Sequence, residues 1–459
     1  MDPALIPAVV KELVEALPNG VVLTEAAAME KYREDFARDG SAGKPVAVVR
    51  AEEARHVQDA VRWAARHRVP VVPRGAGTGL SGGSSAVDGG ITISLERMRA
   101  IEVDTAARVA VVEPGALNAE VKAAAAAHGL WYPPDPSSYE ICSIGGNLAT
   151  NAGGLCCVKY GVTTDYVLGM DVVLADGTLV TLGGKRIKDV AGLSLLKLFV
   201  GSEGTLGIVT RAVLRLIPAQ TERATLVASF PTMTAASEAV VAIGSRLRPS
   251  MMELMDNVTI NAVEDWRSHG LDRGTGALMV AQSDAPGVAR EAEVEAMRVC
   301  CEHAGATEVL CTSDPDEAEL FVAARRNAFL ALETRGSLLF EDVGAPVPLL
   351  PALVDGIAEI ATRHALEIPV VAHAGDGNTH PIIVYDAADP ASKQRAGEAF
   401  AEVMALAIRL GGTITGEHGV GRAKRAALPD QLGLDVMALS RRIKDALDPD
   451  GILNPGAVL

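Results

Sequence analysis

The stretch "PRGAGTGLSGG", Pro73 to Gly83, places five glycines in eleven residues and constrains the fold more than any other part of the chain. From Gly77 to Gly82 it spells G-x-G-x-x-G. A Rossmann fingerprint needs such glycines to open a helix, because a dinucleotide's diphosphate rests on the helix N-terminus, with an acidic residue about 20 positions on for the ribose. Neither condition is met. "SSAVDGGITISL" follows, with a turn signal at Asp88-Gly89-Gly90 and a strand-like continuation, so the loop is expected between two strands. Successive glycines can still converge their N–H groups on an anion and admit a ligand closely, with Arg74 adding a charged fork. Taken by itself, a flexible surface turn is the alternative.

The 459 residues suffice for two or three domains, and 49% apolar with 22% charged residues describes an ordinary globular chain. A net charge of -16, with no basic stripe to offset it, argues against nucleic acid as a partner. The start "MDPALIPAVVKELVEALPNG" lacks the basic and apolar regions of a signal peptide, and no apolar run approaches the roughly 18 residues of a membrane span. A cytoplasmic location is expected. The six cysteines, Cys142, Cys156, Cys157, Cys300, Cys301 and Cys311, show no C-x-x-C and no cluster spacing, which favours reduced, mostly buried thiols.

Residues 1–42 read as a helical lead-in. "PVAVVR" and "VPVVPR" read as strands flanking a helix whose Val57, Ala60, Val61 and Ala64 share one face. An Ala-rich helix over 117–128, the Asp176-Gly177 turn of "MDVVLADGTLVTLGG" and the run "TLGIVTRAVLRLIP" continue a mixed pattern to a boundary at Pro218. Beyond it, the strands "ALMVAQSD" and "PVVAHA" alternate with helical patterns at about 286–304, 315–335 and 390–410, and no internal repeat is present.

Two further stretches, "PPDPSSYEICSIGGNLATNAGG" (Pro133 to Gly154) and "GSEGTLGIVT" (Gly201 to Thr210), again combine glycine with Ser, Thr and Asn as polar loops. With the first loop, these motifs over about residues 43–220 resemble the flavoproteins of the vanillyl-alcohol oxidase and p-cresol methylhydroxylase (PCMH) type. The resemblance implies FAD held without a Rossmann fold. It assigns Arg74, Gly75, Gly77, Thr78, Gly79 and Leu80 to the pyrophosphate. Pro134, Asp135, Ser143, Gly145, Gly146, Asn147, Thr150 and Asn151 would line the flavin and ribose, and Glu203, Gly207 and Ile208 would reach the adenine half. Some members of that class attach FAD through histidine; none lies between His67 and His128, so non-covalent FAD is expected.

"PVVAHAGDGNTHPIIVYD" carries sharper chemistry. Apolar runs on both sides of Ala374 to Thr379 read as a hairpin that would set His373 and His380 across from each other at its mouth. Paired imidazoles are metal ligands when a third donor closes the site, and Glu417 of "GGTITGEHGVGR" is the evident one; core packing is the alternative for the histidines, a solvated loop carboxylate for Glu417. His418 suits a general base or a residue supporting the ligands.

"HAGDGNTHPIIVYD", "GEHGVGR" and the terminal "LNPG" together resemble the family of the glycolate oxidase FAD subunit, the D-lactate dehydrogenases and the D-2-hydroxyglutarate dehydrogenases. The resemblance implies His373, His380 and Glu417 as zinc or manganese ligands, His418 as base, Arg325 of "AARRNAF" as the substrate-carboxylate partner and Asn454 as a C-terminal contact returning to the flavin. Relatives acting on hydroxyglutarate tend to carry Thr and Lys near Phe329 and Phe340 and Asn at Ile382. An apolar pocket here would not admit a second carboxylate, which points to the glycolate or lactate branch.

The expected architecture is α+β: a two-part PCMH-type FAD-binding domain over 43–220, then an α+β substrate (cap) and metal domain over 221–459 whose C-terminal helical segment returns to the flavin. The expected reaction oxidises a 2-hydroxy acid to the 2-oxo acid by hydride transfer to flavin N5, assisted by a divalent metal and the histidine base. Alkyl transfer without net redox, as in alkylglycerone-phosphate synthases, is the rival chemistry, although those tend to show paired histidines where this chain has Glu417-His418. A flavin subunit active only with an iron–sulfur partner is a third reading. The resemblance also leaves room for another electron acceptor, a homodimer, and a peripheral place at the membrane through such a partner.

Overall fold

The structure, a computed structural model, describes residues 6–38, 40 and 42–459, so part of the helical lead-in lies outside the described residues. Two compact units share the chain: Met1–Ala152 with Val162–Ala219 and Glu417–Leu459, and Gly153–Gly161 with Gln220–Gly416. The last 43 residues therefore group with the first unit rather than with the segment that precedes them.

The first unit holds two sheets. In one, Ala47–Arg50 and Val71–Arg74 both run parallel to Ile91–Ser94, which lies between them, with Val22–Leu23 on the outer edge. The helix Ala54–His67 crosses from one outer parallel strand to the other, and its Val57, Ala60, Val61 and Ala64 are fully buried, as the 3.6-residue period requires. Trp63 lies on the same buried side and its Nε1 donates to the Val9 carbonyl at 3.0 Å, tying the helix Ile6–Ala16 to the core. The second sheet is antiparallel, in the order Ile101–Asp104, Val109–Val112, Ile208–Arg215, Val167–Val173, Leu179–Gly183. The C-terminal chain then returns to the first sheet: Val71 N–H donates to Ile452 O, and Asn454 N–H donates to Val71 O.

The second unit is one antiparallel sheet in the order Glu308–Thr312, Ala224–Phe230, Ala277–Ser283, Met251–Asp256, Val370–His373, Asn378–Tyr385, Ser337–Phe340, with Val343–Gly344 also pairing to Asn378–Tyr385. Strand alternation splits its core. Leu226, Ala228, Met252, Leu254, Met279 and Ala372 pack with the helices Met233–Gly244, Ala289–His303 and Leu350–His364. On the opposite face, Val227, Met255, Leu278, Val371 and Ile382 pack with Ile260, Ala324 and Ala328. The helix expected over 315–335 is two helices, Pro315–Arg326 and Ala328–Glu333, broken at Asn327. Within Pro315–Arg326, Arg325 is buried, whereas its neighbour Arg326 is only partly so.

The segment Gly153–Gly161 is anchored to this unit through Asp284, which accepts from Lys159 Nζ, the Tyr160 hydroxyl and Gln220 Nε2. Six free cysteines are present, four of them buried. Among the described residues no helix is long and apolar enough to cross a membrane.

Trp63→Ala is expected to lower the unfolding free energy by about 3–5 kcal/mol, since a buried indole and its hydrogen bond are both removed. Urea titration followed by circular dichroism measures this. A loss below about 1 kcal/mol would mean that the helix Ile6–Ala16 adds little to the core.

Candidate functional site

The glycine loop of the first unit lies between the strands Val71–Arg74 and Ile91–Ser94, as its turn chemistry predicts. Gly77 and Gly82 have φ of +78° and +76°, a left-handed backbone that glycine adopts without the steric cost of a Cβ. The N–H groups of Gly77, Thr78, Gly79 and Leu80 meet no acceptor among the described residues, which fits a bound anion. Arg74 shapes the loop from behind: its guanidinium donates to the carbonyls of Ser84 at 3.2 Å and Glu34 at 2.8 Å. A Cβ on Gly77 would overlap that guanidinium, so the glycine and the arginine are matched.

The second glycine-rich stretch is not wholly a loop. Ile144–Thr150 is a short helix capped by Ser143, whose Oγ accepts from Gly146 N at 3.4 Å and from Ala76 N at 3.1 Å, joining the helix to the glycine loop. Gly145 lies against Pro114, with room for no side chain. Asn147 is buried, with Oδ1 accepting from Asn118 and Nδ2 directed at Cys142 Sγ. Thr150 Oγ1 donates back to Gly146 O. Asn151 ends the helix at φ +54° and accepts from Thr164 N; Pro134 O accepts from Asn118, beside the half-buried Asp135.

In the third stretch, Gly207 packs on Val172 and the Ile208 side chain lies in the first unit's core. Glu203, at φ +50°, is buried, and its two carboxylate oxygens accept from Val420 N at 2.7 Å and Gly421 N at 2.8 Å. The loop carrying Glu417 and His418 is thereby tied to the cradle. Asn454 returns to the same place, donating to Gly83 O at 2.8 Å and Glu203 O at 2.7 Å.

The second unit brings His373 and His380 together by register. His373 pairs with Asn378 and His380 with Val371, so the two histidines are diagonal neighbours on one face rather than directly opposite as the hairpin reading expects. A short 3-10 turn, Ala374–Asp376, closes the connection early, so that His373 pairs with Asn378 rather than with His380. Their rings meet edge to face with centroids 5.0 Å apart. Register explains the next partner too: Glu253 is directly across from His373 on the neighbouring strand, and its carboxylate oxygens lie 2.8 and 3.0 Å from Nδ1.

Glu253 also pairs with Arg325, Oε2 to Nε at 2.9 Å, both side chains being almost wholly buried. Arg325 Nη2 is buried and has no hydrogen-bond partner among the described residues, a donor that an anion could use. On the other side, Asp342 Oδ1 is 3.6 Å from His380 Nδ1, and its Oδ2 accepts from Thr415 Oγ1 at 2.7 Å and Gly416 N at 2.9 Å. Phe329 and Phe340 stack edge to face, and Phe329 faces His380 with ring centroids 6.4 Å apart.

Glu253 and Asp342 are the residues of the candidate site that sequence reasoning missed. A lone carboxylate inside the apolar strand "MMELMD" is the signal that could have found the first, because a buried charge in a strand requires a partner. The Glu253 carboxylate on Nδ1 of His373 leaves that ring's Nε2 for a metal, the arrangement that fixes ligand histidines. Glu417 and His418 are consecutive in the first unit, with His418 Nε2 3.9 Å from Glu417 Oε1.

Comparison with known proteins gives matches to two family models and to curated relatives. Residues 219–458 match the family model described as FAD linked oxidases, C-terminal domain, and residues 45–183 match the FAD binding domain model. The chain is 39% identical to glycolate oxidase subunit GlcD of Bacillus subtilis, covering 90% of this chain and 88% of that protein. It is 36% identical to a D-lactate dehydrogenase of Archaeoglobus fulgidus, covering 90% and 91%. The fold matches that of p-cresol methylhydroxylase with a TM-score of 0.83 at 17% identity, covering 100% of this chain and 97% of the other.

Burial pushes the Glu203 carboxyl from 4.5 up to about 7, against the lowering effect of its two backbone donors. A raised folded-state value makes its stability contribution complete below 4.5 and lost as pH rises to about 7. Relative to Glu203→Gln, the wild-type unfolding free energy should therefore fall by about 3 kcal/mol across that window. Urea denaturation at a series of pH values tests this; a constant difference between the two proteins would mean that the carboxyl titrates normally.

Proposed function

Because the chain belongs to the FAD-linked oxidase family, whose models match both of its halves, we propose that this oxidoreductase converts a small 2-hydroxy acid to its 2-oxo acid. Glycolate, D-lactate and related D-2-hydroxy acids are the substrates in view. The observation that carries the reading is the Glu253-centred array, in which an arginine with an unpartnered Nη2 and a histidine suited to metal binding share one buried carboxylate. The relatives named glycolate oxidase subunit and D-lactate dehydrogenase support the same substrate class.

Each residue then has a task. The amides of Gly75, Gly77, Thr78, Gly79 and Leu80, with Arg74 behind them, hold the diphosphate of a non-covalent FAD. Pro134, Asp135, Ser143, Gly145, Gly146, Asn147, Thr150 and Asn151 line its flavin and ribose, while Gly207 and Ile208 support the adenine side. His373 and His380 hold a zinc or manganese ion with Glu417 as the third ligand. That assignment draws support from the chain itself, since Glu417 directly follows Gly416, whose amide donates to the Asp342 beside His380. Bound in these sites, the flavin supplies a hydride acceptor and the metal a Lewis acid that lowers the hydroxyl pKa.

Arg325 pairs with the substrate carboxylate and orients it. His418 takes the hydroxyl proton as the C–H bond breaks. Phe329, Phe340 and Ile382 give the substrate's far end an apolar wall, which disfavours a second carboxylate because nothing there would compensate its desolvation. The cysteines provide no cluster spacing, so electrons leave to a separate acceptor, an iron–sulfur protein or another.

Anaerobic addition of glycolate or D-lactate to the purified yellow protein is expected to bleach the flavin, with D-2-hydroxyglutarate far less effective. Failure of every 2-hydroxy acid to bleach it would favour alkyl transfer. His418→Ala should retain the colour and lose turnover; unchanged turnover refutes the base assignment.

Glu253→Gln is expected to weaken zinc or manganese binding by about 10- to 100-fold, by loosening the imidazole it orients. Equilibrium dialysis of the flavin-loaded protein against each metal measures this. Undiminished affinity would remove Glu253 from the metal site.

A further inference from the structure

We propose that Glu203 is a positioning residue for His418: it fixes the backbone that carries the imidazole to the glycine loop, and so sets where the base stands. The inference rests on the reading of His418 as base and adds a residue to it. Both carboxylate oxygens are engaged, one per consecutive amide, at 2.7 Å to Val420 N and 2.8 Å to Gly421 N. Among side chains, only a carboxylate presents acceptors on two oxygens and donates from neither when ionised. Glutamine would set an amide N–H₂ against one of the two donors.

The contact belongs to a lock with several independent parts. Ser81 Oγ donates to the His418 carbonyl at 3.0 Å, and Ser81 O accepts from Arg422 N at 2.8 Å and Ala423 N at 3.1 Å. Arg422 Nη1 donates to Gly82 O and Ser85 O, and its Nη2 donates to Asn454 Oδ1 at 3.0 Å. Gly419 lies so close to Glu203 that a Cβ there would sit 3.0 Å from its carboxylate carbon, and a Cβ on Gly421 would overlap Ser81 O. His418 thus sits at the start of a backbone segment clamped from two sides, by the glycine loop and by the 201–204 turn. Glu203 holds a left-handed φ of +50° to make the contact, a conformation that costs a non-glycine residue energy unless its surroundings enforce it. Its own N–H is held by Ala149 O at 2.9 Å, and its carbonyl accepts from Asn454. With both oxygens committed to the base loop, the carboxylate acts on that loop rather than on the adenine half of the cofactor.

The test compares Glu203→Gln, Ser81→Ala and His418→Ala as flavin-loaded proteins. Glu203→Gln is expected to lower kcat by about 10- to 100-fold, the cost of a base displaced by a fraction of an ångström to an ångström. KM should stay within about twofold, because substrate binding is untouched. Flavin absorbance per protein should match the wild type. Ser81→Ala removes only the bond to the His418 carbonyl and is expected to show the same split between kcat and KM with a smaller fall.

Wild-type kcat in Glu203→Gln overturns the proposal. So does loss of flavin in step with activity, which would make Glu203 a cofactor contact. If Glu203→Gln does not fold, Ser81→Ala decides alone: a lowered kcat at constant KM supports the lock, and a wild-type kcat overturns it. Turnover in His418→Ala would instead sink the base assignment itself, whatever the other two variants do.

Discussion

Two buried carboxylates, each committed to two partners, are the constraint on which the arrangement of the candidate site depends. Glu253 spans His373 and Arg325 in one unit, and Glu203 spans two consecutive amides in the other. A buried carboxylate is expensive unless its acceptors are used, so each forces its neighbours into a narrow geometry. Removing either would leave an uncompensated arginine or two orphaned amides. The groups proposed to hold substrate, metal and proton are therefore placed by a few charge-assisted contacts inside otherwise apolar or glycine-rich surroundings.

The two units reach this by different means. In the second, sheet register does the work: Glu253 is opposite His373 because the strands Met251–Asp256 and Val370–His373 pair in that frame, and a one-residue slip of either strand would turn its member of the pair onto the other face. Arg325 joins them from a helix that breaks at Asn327. In the first, there is little regular structure to rely on. The cradle is made of loops that close on each other through Ser143, Arg74, Ser81 and Asn454, with glycines wherever two backbones come too close for a Cβ.

That difference explains how much of the site was legible. The glycine loop's place between strands followed from the turn signal after it, and the histidine pair from the apolar runs around it. The finer arrangement was out of reach. Hairpin reasoning set His373 opposite His380, whereas a 3-10 turn between them shifts the register and makes them diagonal. The stretch after Cys142 reads as a polar loop, yet Ser143 caps a short helix there, since a capping hydroxyl and two glycines look alike in either conformation. Glu203 was assigned by resemblance to the adenine half, and its engagement with Val420 and Gly421, more than 200 residues away, leaves no trace in local pattern.

What the sequence by itself determined is therefore local: the α+β alternation, the exclusion of a Rossmann site, and the side-chain types on which the proposed anion, metal and proton roles rest. These depend on periodicity, turn chemistry and side-chain type, all of which act over a few residues. Tertiary structure alone decided which groups meet. The C-terminal segment groups with the first unit, not with its sequence neighbours, and Glu253 and Asp342 become partners of histidines 120 and 38 residues away. Such pairings are set by strand register and by the need to satisfy every buried charge, and both are properties of the closed fold.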